Sequence, residues 1–320
     1  MTDSPASDPS LALVFPGQGS QSPGMLAELA QAHPQVREAF AEASDGAGID
    51  LWQLVQEGSE ARLNTTEFTQ PALLAAGIAT WRVWQALGGV EPAQLAGHSL
   101  GEYTALVAAG ALSLGDGARL VRTRGHLMQA AAPAGSGAMA AVIGAEDAQI
   151  EAACASASSD AEVVVPANFN SPGQVVIGGH AAAVDRALAA LADAGVRKAV
   201  KLAVSVPSHT PLMRDASDRL AQAMDAIDWA LPAIGVVQNV DAAVADEVAG
   251  VRDALVRQLY LPVQWTGCVQ ALVARGATRI GECGPGKVLT GLVKRIDKSV
   301  DARALGMPAE IEAAIAEWKA

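Results

Sequence analysis

An α/β fold with a mainly parallel sheet, interrupted by an inserted βαββαβ unit, is what the amino-acid sequence predicts. Three observations predict it. Short apolar runs recur, most ending in a glycine-containing loop and followed by an Ala/Leu-rich stretch of helical periodicity. The middle of the chain changes to a denser alternation of strands and helices. Apolar residues make up 51% of the 320 residues and charged residues 18%, enough to bury a core of that size.

In chain order, LALVF leads into PGQGSQSPG, PAQLAGH into SLGEYTALVAAGAL, AIGVVQNV into a polar turn, and ATRIGEC into GPGKVLTGLVKRI. Strands alternating with helices form parallel sheets, whose ligands bind beyond the carboxyl ends of the strands, where these glycine loops fall. Apolar residues three and four apart predict helices over Gln70–Gly88, Glu102–Leu112, Asp116–Ala131, Leu212–Ala226 and Val251–Leu259. Between Ala130 and Val204 the order is strand AMAAVIG, helix AEDAQIEAACASA, strands AEVVVPANFN and QVVIGG, helix AAVDRALAALADAG and strand RKAVKLAV. That is the order of a ferredoxin-like unit. We expect an insertion at residues 133–204 in a larger α/β domain of residues 1–132 and 205–320, with a ligand cleft between them.

Composition excludes several classes of function. A net charge of −12 opposes a nucleic-acid surface, which needs clustered Lys and Arg. The start, MTDSPASDPS, has no basic segment, and LALVF is too short for a signal peptide or a membrane span; we expect a cytoplasmic protein, monomeric by default. Cys154, Cys268 and Cys283 are far apart, so neither disulfides nor a metal site is expected.

GHSLGEY, Gly97–Tyr103, carries the chemistry. G-x-S-x-G after a strand and before a helix is a nucleophile elbow, whose tight turn presents the serine hydroxyl at the sheet edge. A helix N-cap serine would give the same letters, and the elbow suits a hydrolase or thioesterase as well as a transferase. Ser99 needs a base. Of five histidines, His33, His126 and His180 lie in unsuitable surroundings, and His98, adjacent to the serine, is expected to be structural. His209, in AVSVPSHTPLM where the chain re-enters the main sheet, is the candidate. An oxyanion needs two donors, for which we expect the N–H groups of Leu100 and, from the glycine loop GQGSQ, Gln18. That loop is no dinucleotide fingerprint, because Ser22 stands at its third glycine position. GECGPGKV lacks the hydroxyl residue of a P-loop.

These residues, together with RTRG, GAMAAVIG, NFNSPGQVVI, VPSH, RQLY, PVQW and GPGKVLTGL in this order, resemble the bacterial malonyl-CoA:acyl-carrier-protein transacylases of fatty-acid synthesis. The resemblance covers nearly the whole chain after Ser10. It implies an α/β-hydrolase-like core with a ferredoxin-like insertion, and a ping-pong transfer of malonyl from malonyl-CoA to the phosphopantetheine thiol of acyl carrier protein. It implies Ser99 as nucleophile, His209 as base oriented by the backbone carbonyl of Gln258, the Gln18 and Leu100 amides as oxyanion hole, and no metal or bound cofactor. Arg124 would bind the malonyl carboxylate, as a guanidinium fork can do with two charge-assisted hydrogen bonds. For docking of an acidic carrier, Lys287, Lys294, Arg295, Lys298, Lys198 and Lys201 are candidates. Activity is expected to fall as His209 is protonated below about pH 6 to 7.

Overall fold

Nine strands form two sheets in the computed structural model, which describes residues 7–133, 135–204 and 206–318. They are β1 (Asp8–Phe15), β2 (Pro92–Gly97), β3 (Gly137–Ile143), β4 (Val164–Ser171), β5 (Gln174–His180), β6 (Lys198–Lys201), β7 (Gly235–Val237), β8 (Arg279–Glu282) and β9 (Asp301–Ala304). The first sheet has the order β7-β2-β1-β8-β9, with every pair parallel.

Its central strand, β1, explains why LALVF is an unbroken apolar run. Leu11 to Phe15 are all fully buried, because helices cover both faces of a parallel sheet. Alternate side chains then enter different cores. Leu11, Leu13 and Phe15 join the larger apolar cluster with the helices Gln35–Ala47, Thr66–Ala86 and Leu114–Ala131. Ala12 and Val14 join a smaller one with Trp265–Ala274 and Val288–Ile296.

The second sheet is antiparallel, in the order β4-β5-β3-β6, which is the ferredoxin-like arrangement expected from the element order. Val142, Val175 and Ile177 pack on one face against Ile150 of the helix Asp147–Ala157 and Val184 and Leu191 of the helix Ala181–Asp193. Met139, Ala167 and Val176 occupy the opposite face. Beyond β4, Phe169 N–H donates to Val263 O and Val263 N–H to Ala167 O, both at 2.9 Å, so the second sheet is tied to the segment that follows Gln258.

The differences from expectation are local. The helix expected from Gln70 begins at Thr66 and encloses Pro71, forgoing one ladder bond within a helix buried along most of its length. β9 has the sequence DARA, in which Ala302 alone is buried; an edge strand this short leaves no periodic signal. Residues 1–6, and Ser205 at the expected boundary, lie outside the described residues. Among the described residues no helix is long and apolar enough to cross a membrane. All three cysteines are buried and free.

Candidate active site

Ser99 lies between the end of β2 and the helix Leu100–Ala108, with φ 52° and ψ −108°. A non-glycine residue pays about 1–3 kcal/mol for such a backbone, so the surroundings must impose it. They do so through the two flanking glycines. A Cβ on Gly97 would stand 1.9 Å from the carbonyl of Gly101, and one on Gly101 would stand 2.0 Å from Phe15 O. Strand, elbow and helix therefore approach closer than any other residue allows. Gly101→Ala is expected to cost roughly 3 kcal/mol and to displace the hydroxyl; thermal unfolding beside an activity assay checks both, and a variant of unchanged stability would contradict this packing.

His209 meets the serine from the far side of the chain. Its Nε2 is 2.7 Å from Ser99 Oγ, and its Nδ1 is 2.6 Å from the backbone carbonyl of Gln258. A carbonyl can only accept, so Nδ1 carries the proton and Nε2 presents a lone pair to the hydroxyl. The ring is 3% exposed, and His209 too has a positive φ, 61°. Its backbone N–H is anchored on Leu259 O at 2.9 Å. Burial, with the Arg124 cation adding to it, pushes the imidazole down to about 3. The sequence alone suggested an ordinary histidine titration, because neither cause is visible there.

Arg124 is 1% exposed, which rules out the solvated helix arginine that its sequence position would also suit. Its Nη1 donates to Gln70 Oε1 at 2.8 Å, and its Nη2 to Gln258 Oε1 at 3.0 Å and Ser99 Oγ at 3.2 Å. All three acceptors are neutral, and Nε has no partner among the described residues. A buried cation without a paired carboxylate costs several kcal/mol and is poised to take up an anion beside the serine.

Leu100 opens its helix, so its N–H belongs to the first turn, which the helical ladder leaves unbonded. Gln18 lies on the glycine loop after β1, at the mouth of a cleft of about 260 Å³ that also contains Ser99, His209, His98, Met128 and Met139. His98 is held apart from the serine chemistry: its Nε2 pairs with Asn170 Oδ1 at 2.8 Å and its ring lies against Trp265. The GPGK loop fails as a phosphate site for a structural reason. The N–H groups of Leu289 and Thr290, at the start of the following helix, already bind the buried carboxylate of Glu282 at 3.1 and 2.7 Å, where a P-loop would bind phosphate.

The side chains that the sequence did not single out are Glu102, Asn239, Gln70 and the Gln258 amide, all wholly buried. Glu102 lies inside the elbow motif itself, yet a glutamate in a first helical turn ordinarily reads as a solvated residue.

Comparison with known proteins adds to this geometry. Residues 12–306 match the acyl transferase domain family. The chain is 55% identical over 306 residues to the malonyl CoA-acyl carrier protein transacylase of Salmonella typhimurium, covering 96% of this chain and 99% of that protein. It is 41% identical over 309 residues to the protein of the same name from Bacillus subtilis, covering 97% of both chains. Among solved structures, the malonyl-CoA:acyl carrier protein transacylase of Xanthomonas oryzae pv. oryzae is 70% identical with a TM-score of 0.96, covering 98% of this chain and 99% of that one. A malonyl-transacylase in complex with a type II polyketide acyl-carrier protein is 51% identical with a TM-score of 0.94, covering 96% of this chain and 99% of that one.

Proposed function

From the premise that the chain belongs to the acyl transferase domain family, as one of its malonyl-CoA:acyl-carrier-protein transacylases, we propose that it carries malonyl between the two thiols through an ester on Ser99. His209 Nε2 takes the Ser99 proton as Oγ attacks the thioester carbonyl. The oxyanion of the tetrahedral intermediate lies against the N–H groups of Leu100 and Gln18, at the positive end of the Leu100–Ala108 helix. Collapse breaks the C–S bond, and coenzyme A leaves with the proton held by His209. The phosphopantetheine thiol of acyl carrier protein then attacks the ester by the reverse route. Gln258 C=O keeps the imidazole in the productive tautomer throughout, in place of a carboxylate.

The observation that carries this reading is the buried Arg124 beside the nucleophile, which has no carboxylate partner among the described residues. Malonyl brings a carboxylate to it. Acetyl leaves the cation uncompensated, a difference of roughly a hundredfold or more in rate. Residues 133–204 supply one wall of the cleft, through Met139, Asn168, Asn170 and Val176, and residues 1–132 and 205–320 supply the reacting groups. Exposed Lys287, Lys294, Arg295 and Lys298 offer an acidic carrier protein a basic surface, with Lys198 and Lys201 as further candidates. Monomeric, cytoplasmic action without nucleic acid or a membrane belongs to the same reading. A steady-state assay with a holo carrier protein tests it. Malonyl transfer at least about a hundredfold faster than acetyl transfer is expected; equal transfer of both, or malonate release at the same rate without carrier, would overturn it.

The position of His209 also sets a pH dependence. Because its folded-state value lies far below the usual 6.5, the free enzyme keeps a neutral base at pH 5. The acid limb of kcat/KM is therefore expected well below pH 6, and a limb centred near pH 6.5 would contradict the burial argument. The unfolded chain binds a proton at His209 that the folded chain refuses, so this group's contribution to stability is full above about pH 6.5 and is lost as pH falls toward 3.

A further inference from the structure

Beneath the elbow lies a buried polar cluster that the reaction as described does not use. Glu102 Oε2 accepts from the backbone N–H of Asn239 and from Gln258 Nε2, both at 2.9 Å. Both residues it holds also bond the Ser99 peptide groups, whose carbonyl accepts from the Glu102 backbone N–H as well, at 3.1 Å. Ser99 N–H donates to Asn239 Oδ1 at 2.7 Å, and Gln258 Nε2 donates to Ser99 C=O at 3.0 Å. Asn239 Nδ2 continues the cluster to Gly97 O at 2.7 Å. Gln258 also reaches the other way, since its Oε1 accepts from Arg124 Nη2 at 3.0 Å.

The Gln258 amide thus stands between an anion and a cation. A carboxamide has one donor end and one acceptor end. With the donor end on Glu102, the acceptor end must face Arg124; reversed, its NH₂ would meet the guanidinium donors and its oxygen the carboxylate. The spacing has a consequence for the fork. A carboxylate in direct contact would form a bidentate ion pair with Arg124 and fill the place of a substrate carboxylate. A neutral amide orients the guanidinium and leaves its charge unpaired. Burial pushes the Glu102 carboxyl up to about 7, opposed by the Asn239 and Gln258 donors and by the Arg124 cation, so the two charges are felt across the amide.

We propose that Glu102 is a positioning residue for malonyl selection: by fixing the Gln258 amide it aims Arg124 at the Ser99 ester while keeping the guanidinium free of an internal ion pair. This rests on the assignment of Ser99 as ester site and Arg124 as carboxylate partner.

The test is the rate of ester formation on Ser99, measured over a range of malonyl-CoA and acetyl-CoA concentrations. Three proteins are compared: wild type, Glu102→Gln, and the exchange variant Glu102→Gln/Gln258→Glu. Glu102→Gln retains an acceptor oxygen for Asn239 and Gln258 but removes the charge that orders the amide. Its malonyl-to-acetyl ratio of kcat/KM is expected to fall at least about tenfold, mainly through a higher KM for malonyl-CoA. The exchange variant keeps one carboxylate and one amide but sets the carboxylate directly on Arg124, and is expected to lose still more of the ratio. An unchanged ratio in Glu102→Gln, with malonyl and acetyl loading falling together, would mean that Glu102 merely braces the elbow and would overturn the proposal. A wild-type ratio in the exchange variant would do the same, and that variant decides the matter should Glu102→Gln fail to fold. Absence of any ester on Ser99 in the wild type would instead count against the underlying assignment.

Discussion

Ser99→Ala is expected to lower malonyl transfer to carrier protein by about 10⁴-fold or more while leaving the fold intact. The effect is large because the substitution removes the atom proposed to bear the acyl group, the hydroxyl that His209 Nε2 meets at 2.7 Å. The fold should survive because Oγ bonds to His209 and Arg124 alone among the described residues, whereas the strained backbone is held by peptide contacts to Asn239 and Gln258. A thermal midpoint near that of the wild type, together with lost transfer, is the result that separates chemistry from folding. Transfer within tenfold of the wild type would remove Ser99 from the reaction.

Arg124→Ala is expected to lower malonyl transfer by about a hundredfold or more and to bring malonyl and acetyl rates close together. Two effects act in one direction on malonyl: its carboxylate loses its partner, and Gln70 and Gln258 lose the donor that orders their amide oxygens. A third effect has a separate readout. The Arg124 cation helps to depress His209, so its removal should move the acid limb of kcat/KM to higher pH. Arg124→Lys should restore charge without the planar fork and recover a small part of the preference. A malonyl preference untouched in the alanine variant would mean that another group binds the carboxylate.

Much of this site was legible because its determinants are local. The glycines at 97 and 101 encode a close approach that strand, turn and helix make within a few residues, and the βαββαβ order shows itself through successive changes of period. His209 could be singled out because its segment follows the last strand of the second sheet, although the chain does not rejoin the first sheet there as expected: it passes into the helix Arg214–Met224 and returns only at β7. Arg124 is different: three turns along its helix it shares a face with Leu120, Val121, Leu127 and Met128, but a lone arginine ordinarily reads as solvated, and only the Thr66–Ala86 helix and the Gln258 segment, which supply its partners, show why it is buried. Glu102, Asn239 and the Gln258 side chain are more hidden still. Their roles arise from contacts between positions as far apart as 102 and 258, and their polar character argued against the burial they have. The same holds for the titration of His209, whose ordinary value is a property of the residue and whose depression is a property of the fold.

In the proposed reaction malonyl resides on Ser99 between its two thiol carriers. Mass spectrometry tests it most directly: the protein is mixed with malonyl-CoA, the modified peptide is located, and holo carrier protein is then added. A malonyl ester on Ser99 is expected to persist without carrier and to disappear on its addition as malonyl-carrier forms. Free malonate accumulating with no acylated serine, or an acyl group on any other residue, would contradict it.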